Sequence, residues 1–190
     1  MDYDTRSQVF TGPPCYGGPN APADTVRSGI DLFIKVTQQP AQKFVLGVPW
    51  YGYDYVCLNA KGNLSIHECQ IASVPFRGVE CSDAAGGQYI FGTIMHNYRN
   101  ASIVKTSLVV NTTTTGDGLW ARFNYKDAAG VVHAVWFDTP DVLAEKYSIA
   151  KSKGIRGLSM WNVDCLSDAA TGPGAADTQA MWTAMDSFFH

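Results

Sequence analysis

Three short stretches hold the residues whose types and spacing could do chemistry. Met1-Asp2-Tyr3-Asp4 ends in Tyr3 and Asp4. The apolar run 43–50 leads to Trp50 and Tyr51, and the run 155–161 leads to Trp161 and Asn162. A continuous apolar run between turn signals suits a strand buried on both faces, as in a parallel sheet. If all three stretches are such strands, the named residues stand together at the strands' C-terminal ends, the face where a β/α barrel assembles its catalytic groups. Aromatic rings beside carboxylate and amide groups suit a sugar, whose C–H faces stack on rings while its hydroxyls take the polar partners. Trp50 or Trp161 taken singly reads as an ordinary core aromatic. The coincidence at three strand ends favours a site.

Other chemistries find no support. Gly157-Leu158-Ser159-Met160-Trp161 has Trp where a nucleophile elbow requires its second Gly, so Ser159 reads as structural. His67-Glu68 lacks the second His of a zinc-protease helix, and His96, His133 and His190 have no paired spacing; no metal site and no cofactor is expected. Gly86-Gly87 reads as a turn, and Asp83 and Asp138 as loop or cap carboxylates. The 14 basic and 17 acidic residues leave a net charge of −3, with no basic run to suit nucleic acid or an anionic membrane. Apolar residues at 46% against 16% charged describe a chain with a core. Its longest apolar stretch, Phe44 to Tyr53, is interrupted by Gly47, Pro49 and Gly52, which excludes a membrane span there.

The elements that must position these residues follow from periodicity. Val26, Ile30, Phe33 and Ile34 predict a helix over 24–39, with Asp24 as N-cap and Pro40 as stop. Thr139, Pro140 and a stripe of Val142, Leu143, Tyr147, Ile149 and Ala150 predict a helix over 139–153, closed by Gly154. A last helix is expected over 176–189, with Met181, Trp182, Met185, Phe188 and Phe189 on one face. Between Tyr51 and Asp138 the texture turns polar, and strands 120–126 and 131–137 flank an Asp127-Ala128-Ala129-Gly130 turn. The resulting order is β-α-β-insertion-α-β-α. It divides the chain into barrel-type segments 1–50 and 139–190 and an α+β insertion over 51–138. Three β/α units build either an open sheet or part of an eight-fold barrel whose other units lie upstream.

Compartment signals agree with the second reading. Sequons stand at Asn63, Asn100 and Asn111, and five cysteines show no Cys-x-x-Cys spacing, so N-glycosylation and disulfides in a lysosomal or secretory lumen are expected. Which cysteines pair stays open. The opening residues carry no signal-peptide pattern, so Met1 is expected to be an internal residue of a longer protein.

These motifs resemble glycoside hydrolase family 18. Met1-Asp2-Tyr3-Asp4 is similar to the family's sixth-strand Met-x-Tyr-Asp, and Gly47-Val48-Pro49-Trp50-Tyr51-Gly52 to its seventh-strand Gly-hydrophobic-Pro-x-Tyr-Gly. Gly157-Leu158-Ser159-Met160-Trp161-Asn162 resembles the eighth-strand motif whose Trp floors the substrate pocket. Val74-Pro75-Phe76-Arg77-Gly78 and Cys81-Ser82-Asp83-Ala84-Ala85-Gly86 carry the likeness through the insertion. The resemblance implies the C-terminal part, about strands 6–8, of a (β/α)8 barrel, with the insertion between strand 7 and its helix. It implies hydrolysis of β-1,4-linked N-acetylglucosamine in chitobiose and small chito-oligosaccharides, the kind of linkage found in glycoprotein glycan cores. In that retaining mechanism the substrate's own acetamide attacks the anomeric carbon.

By the same resemblance, Tyr3 orients the acetamide and Asp4 sets the local charge. Trp161 floors the sugar, and Met1, Trp50, Tyr51 and Asn162 complete the pocket. The family's Asp-x-x-Asp-x-Asp-x-Glu motif, which ends in the general acid, is absent, so the acid is expected upstream and the chain alone is expected to be inactive. Many family members have Arg where Tyr53 stands, and the change favours a shortened site. The alternative is a lectin-like member that binds chito-oligosaccharides without cleaving them.

Overall fold

The computed structural model describes residues 12–190. After a two-residue strand β1 (Cys15–Tyr16), the chain forms helix α1 (Ala23–Thr37) and strand β2 (Val45–Pro49). Helix α3 (Pro140–Ser152) and strand β9 (Gly157–Trp161) come much later in the chain, yet β2 and β9 pair directly. They run parallel, from Val45 opposite Gly157 to Pro49 opposite Trp161. Helices α4 (Gly172–Thr183) and α5 (Asp186–Phe189) close the chain.

Between β2 and α3 lie β3 (Tyr51–Val56), β4 (Gln70–Ile71), β5 (Gly87–Ile90), α2 (Phe91–Arg99), β6 (Val109–Asn111), β7 (Trp120–Lys126) and β8 (Val132–Phe137). Five of these strands form one antiparallel sheet in the order β5-β3-β8-β7-β6. The β7–β8 turn forms as its residues dictate. The Asp127 carboxylate accepts the Ala129 and Val131 N–H groups at 2.9 and 2.8 Å, and Gly130 takes the left-handed φ of 80° that closes it. Alternation divides the sheet's residues. Gly52, Val135, Phe137 and Phe123 lie under α2, while Tyr55, Ala134 and Trp136 face a second cluster with Cys15, Cys57, Cys69 and Cys81. Gly52 is required by this packing, because a Cβ there would stand 2.6 Å from Phe137 Cβ and 2.8 Å from Ile94 Cδ1. Disulfides Cys15–Cys81 and Cys57–Cys69 tie the second cluster, and Cys165 is a buried free thiol.

The α3 stripe buries as expected, with Thr139 Oγ1 accepting the Val142 N–H at 3.5 Å and Gly154 left-handed just beyond the helix. Two helices differ from expectation. Asp24 does not cap α1, which begins at Ala23; its first N–H groups are taken by the carbonyls of Gly118 and Gly116, so tertiary contact replaces a side-chain cap. Phe33, expected inside, is 63% exposed, and Leu32 and Val36 beside it are exposed too. The last helix is two, broken at residues 184–185, and of its predicted apolar face only Met181 is fully buried. Among the described residues, no helix is long and apolar enough to cross a membrane.

Candidate functional site

The β2–β9 pairing sets two of the three predicted strand ends side by side. Trp50 N–H donates to the Trp161 carbonyl at 2.8 Å, and the Trp50 carbonyl accepts from Phe91 N–H at 3.1 Å, so the strand ends and the start of α2 are locked together. Trp161 is 52% exposed, an unusual state for a large apolar ring, and it presents apolar surface to solvent at the C-terminal end of β9. A cis peptide joins it to Asn162. Asn162 Oδ1 accepts from the Cys165 thiol at 2.8 Å, and burial pushes that thiol above its ordinary pKa. Cys165 thus holds Asn162 in place next to the exposed ring.

Tyr51 is buried beside this edge. Its carbonyl accepts from Asn20 Nδ2 at 3.2 Å, and its ring meets Tyr53 edge-on at 5.9 Å. Tyr53 stacks on Tyr55 and donates its hydroxyl to Asp83 Oδ2 at 2.7 Å, which gives the predicted loop carboxylate a definite partner. Trp50 corrects the sequence reading. It is 1% exposed, donates Nε1–H to the Tyr147 hydroxyl at 3.3 Å and stands edge-on to Trp182 at 5.0 Å. It stands at the bend between β2 and β3, and its ring is packed against Tyr147 of α3 and Trp182 of α4. Met1, Tyr3 and Asp4 lie outside the described residues.

Two ionic arrangements escaped the sequence reading. Asp138 lies in the short link between β8 and α3, as expected of a loop carboxylate, but it is not solvated. It is buried just beyond β8 and accepts from Lys146 Nζ at 2.7 Å, with both side chains at most 1% exposed. Burial pushes the Asp138 carboxyl up while the Lys146 ammonium pulls it down. In the insertion, Asp54 accepts from the Tyr125 hydroxyl at 2.5 Å and pairs with His133 Nδ1 at 2.9 Å. His133 Nε2 lies 3.7 Å from Asp127, and its ring stacks on Tyr125 at 4.8 Å. The hydrogen bond to Asp54 holds the imidazole above its usual pKa, and burial beside the same carboxylate pushes the Tyr125 hydroxyl well above the phenol range. His133 has no second His at metal spacing. Its partner is a carboxylate on a neighbouring strand, a relation the linear sequence does not display.

All three sequon asparagines form the same local turn. Asn63, Asn100 and Asn111 each accept, through Oδ1, the N–H of the Ser or Thr two residues on, at 2.9 Å. Asn63 and Asn100 are exposed, and Asn111 is partly so.

A parallel strand pair with an exposed Trp at its C-terminal end, interrupted by an α+β sheet, is the arrangement of one part of a β/α barrel. The sequence profile of glycosyl hydrolases family 18 matches residues 1–165, and the chain belongs to that family. It is 38% identical over 188 residues to human di-N-acetylchitobiase, covering 96% of this chain and 44% of the human protein. To the mouse di-N-acetylchitobiase it is 39% identical over 186 residues, 97% of this chain and 47% of the mouse protein. The chain therefore spans about half the length of these relatives. Among solved structures it is similar to a chitinase from Chromobacterium violaceum (TM-score 0.59, 20% identity, 96% of this chain and 44% of that one). It is similar also to a plant class V chitinase mutant from Cycas revoluta in complex with (GlcNAc)3 (TM-score 0.61, 21% identity, 99% and 45%). The fold is that of part of a (β/α)8 barrel carrying an α+β insertion.

Proposed function

We propose that this chain supplies the C-terminal side of the pocket of a glycosidase that cleaves β-1,4-linked N-acetylglucosamine in chitobiose and small chito-oligosaccharides. The identity of 38% and 39% to di-N-acetylchitobiases over nearly the whole chain carries this reading. The exposed Trp161 ring, backed by Asn162 and flanked by Tyr51, is the floor on which a pyranose stacks. Tyr3 holds the substrate acetamide so that its oxygen can attack the anomeric carbon, Asp4 stabilises the positive charge that develops, and Met1 adds apolar wall. The general acid, a Glu, comes from upstream residues that close the barrel. The exposed Leu32, Phe33, Val36 and Val45 support that arrangement, since they are the apolar surface an adjoining β/α unit covers. The boundaries at 51 and 138 mark the insertion, within which the five-stranded sheet is complete. Two disulfides and three turn-forming sequons support residence in the lysosome or secretory lumen.

The experiment is hydrolysis of chitobiose by the 190-residue chain and by the same chain carrying the upstream barrel part. Turnover by the longer protein and none by the chain alone is expected. Turnover by the chain alone refutes the placement of the acid. Binding without turnover by the longer protein identifies a lectin-like member instead.

A further inference from the structure

Of the three sequons, Asn111 has surroundings unlike the others. It ends β6 directly opposite Trp120 on β7, and Arg122, two residues further along β7, is opposite Trp136 on β8. Directly paired residues share a face, so Asn111, Trp120, Arg122 and Trp136 all stand on one side of the sheet. Trp120 meets Trp136 edge-to-face at 5.1 Å, and the Arg122 guanidinium lies over the Trp136 ring at 4.9 Å. Arg122 is itself fixed by the carbonyls of Ile66 and His67. Asn111, Trp120 and Trp136 line an open cleft with Thr113 and Pro19.

Trp136 is 7% exposed, and its Nε1–H has no hydrogen-bond partner among the described residues. The Asn111 turn engages Oδ1 and not Nδ2, the atom through which an N-glycan is attached. Asn100 makes the same turn, but among the described residues the cleft it lines contains no Trp, Tyr or Phe side chain.

We infer that the first N-acetylglucosamine of a glycan on Asn111 docks in the Trp120–Trp136 cleft, with its C–H face on the Trp120 ring and its oxygens at the polar rim. The occupant is the chain's own glycan, because cross-strand pairing delivers it to the ring at no translational cost; a free sugar must overcome that cost to bind the same surface. The glycan thereby covers the rim of the sheet next to its edge strand β6. A stacked, anchored sugar is slow to reach an enzyme that must lift it away.

The test uses protein made in a eukaryotic secretory host. Native protein is treated with a peptide-N-glycanase, and the Asn-to-Asp conversion is followed by peptide mass at each sequon. Asn111 should be released roughly tenfold more slowly than Asn63 and Asn100, equivalent to about 1.4 kcal/mol of docking. Trp120→Ala should bring Asn111 to the rate of the other two. Trp120→Phe, which keeps an aromatic face and guards against misfolding, should retain most of the protection. Equal release at all three sites in unmodified protein overturns the inference, as does an unoccupied Asn111. Titration of free chito-oligosaccharide into Asn111→Gln separates the two sources of sugar. Trp120-dependent fluorescence quenching there would assign the cleft to free ligand and refute the covalent occupant.

Discussion

Replacing Lys146 with Met should be among the most damaging single changes in the α3 region. Lys146 Nζ is 2.7 Å from Asp138 Oδ2, and neither side chain is more than 1% exposed. The other carboxylate oxygen, Oδ1, has no hydrogen-bond partner among the described residues. Met fills most of the lysine's apolar volume, so packing is largely conserved and the loss is electrostatic. Removing one partner from a buried pair leaves an uncompensated charge and costs about 3–5 kcal/mol. Urea unfolding followed by circular dichroism reads this as a lower midpoint at an unchanged slope. The double change Lys146→Met with Asp138→Leu removes both charges and should be more stable than Lys146→Met alone. The pH dependence has a fixed sign. Without Lys146 the folded-state pKa of Asp138 lies further above its unfolded value. The neutral form is therefore favoured on folding, and stability is lost as pH rises from the carboxylate range through the raised pKa. The penalty should be smaller near pH 4 than at pH 7. A Lys146→Met protein within about 1 kcal/mol of the parent at pH 7, with no such pH trend, would refute the reasoning.

Further outcomes follow from other parts of the molecule. Removing Cys15–Cys81, which spans 66 residues, should cost about 4 kcal/mol, against about 3 kcal/mol for Cys57–Cys69, which spans 12; denaturant midpoints of the two Cys→Ser pairs test the order. Trp161→Ala should leave the melting temperature nearly unchanged and abolish chito-oligosaccharide binding by calorimetry in the protein with its upstream part, whereas Trp50→Ala should cost about 3–5 kcal/mol in unfolding. His133 should titrate above its ordinary value by NMR, and Asp54→Asn should lower it. Because the folded-state pKa is raised, the stability this pair contributes is fully present below the unfolded value and fades as pH rises through the folded one.

How much of this was legible in the sequence depends on the range of the interaction. The α3 cap, stripe and terminator are local rules, and the helix lies where they put it. The β7–β8 hairpin was equally readable, because Asp127 and Gly130 close it within four residues. The N-terminus of α1 was not, because its donors are met by carbonyls from residues 116 and 118, far along the chain. Trp50 and Trp161 look alike as aromatics ending apolar runs. Their fates differ because the bend after β2 turns Trp50 toward the helices, while Trp161 ends β9 at the rim. Asp54, Tyr125 and His133 meet only once three strands have aligned, and Lys146 stood inside an apolar stripe without announcing its partner. The short strands β1, β4 and β5 and the helix α2 carry weak patterns, since disulfides and sheet contacts fix them more than periodicity does.

The strand pair that carries Trp50 and Trp161 also constrains how the chain can fold. Pairing β2 with β9 directly means closing the loop of about a hundred residues between Pro49 and Gly157, an entropic cost of about 4 kcal/mol. The sheet of the insertion begins at Tyr51 and ends at Phe137, and within it Tyr53 sits opposite Trp136. Once that hairpin-rich unit has formed, its entry and exit lie together, and the effective loop shrinks to roughly the length of α3 with its flanking turns, saving about 1.5 kcal/mol. The insertion is therefore a kinetic partner of the β2–β9 pair: damage to its disulfide-tied cluster should slow the pairing of β2 with β9, and with it the placement of the exposed Trp161, even when no residue near that ring has changed.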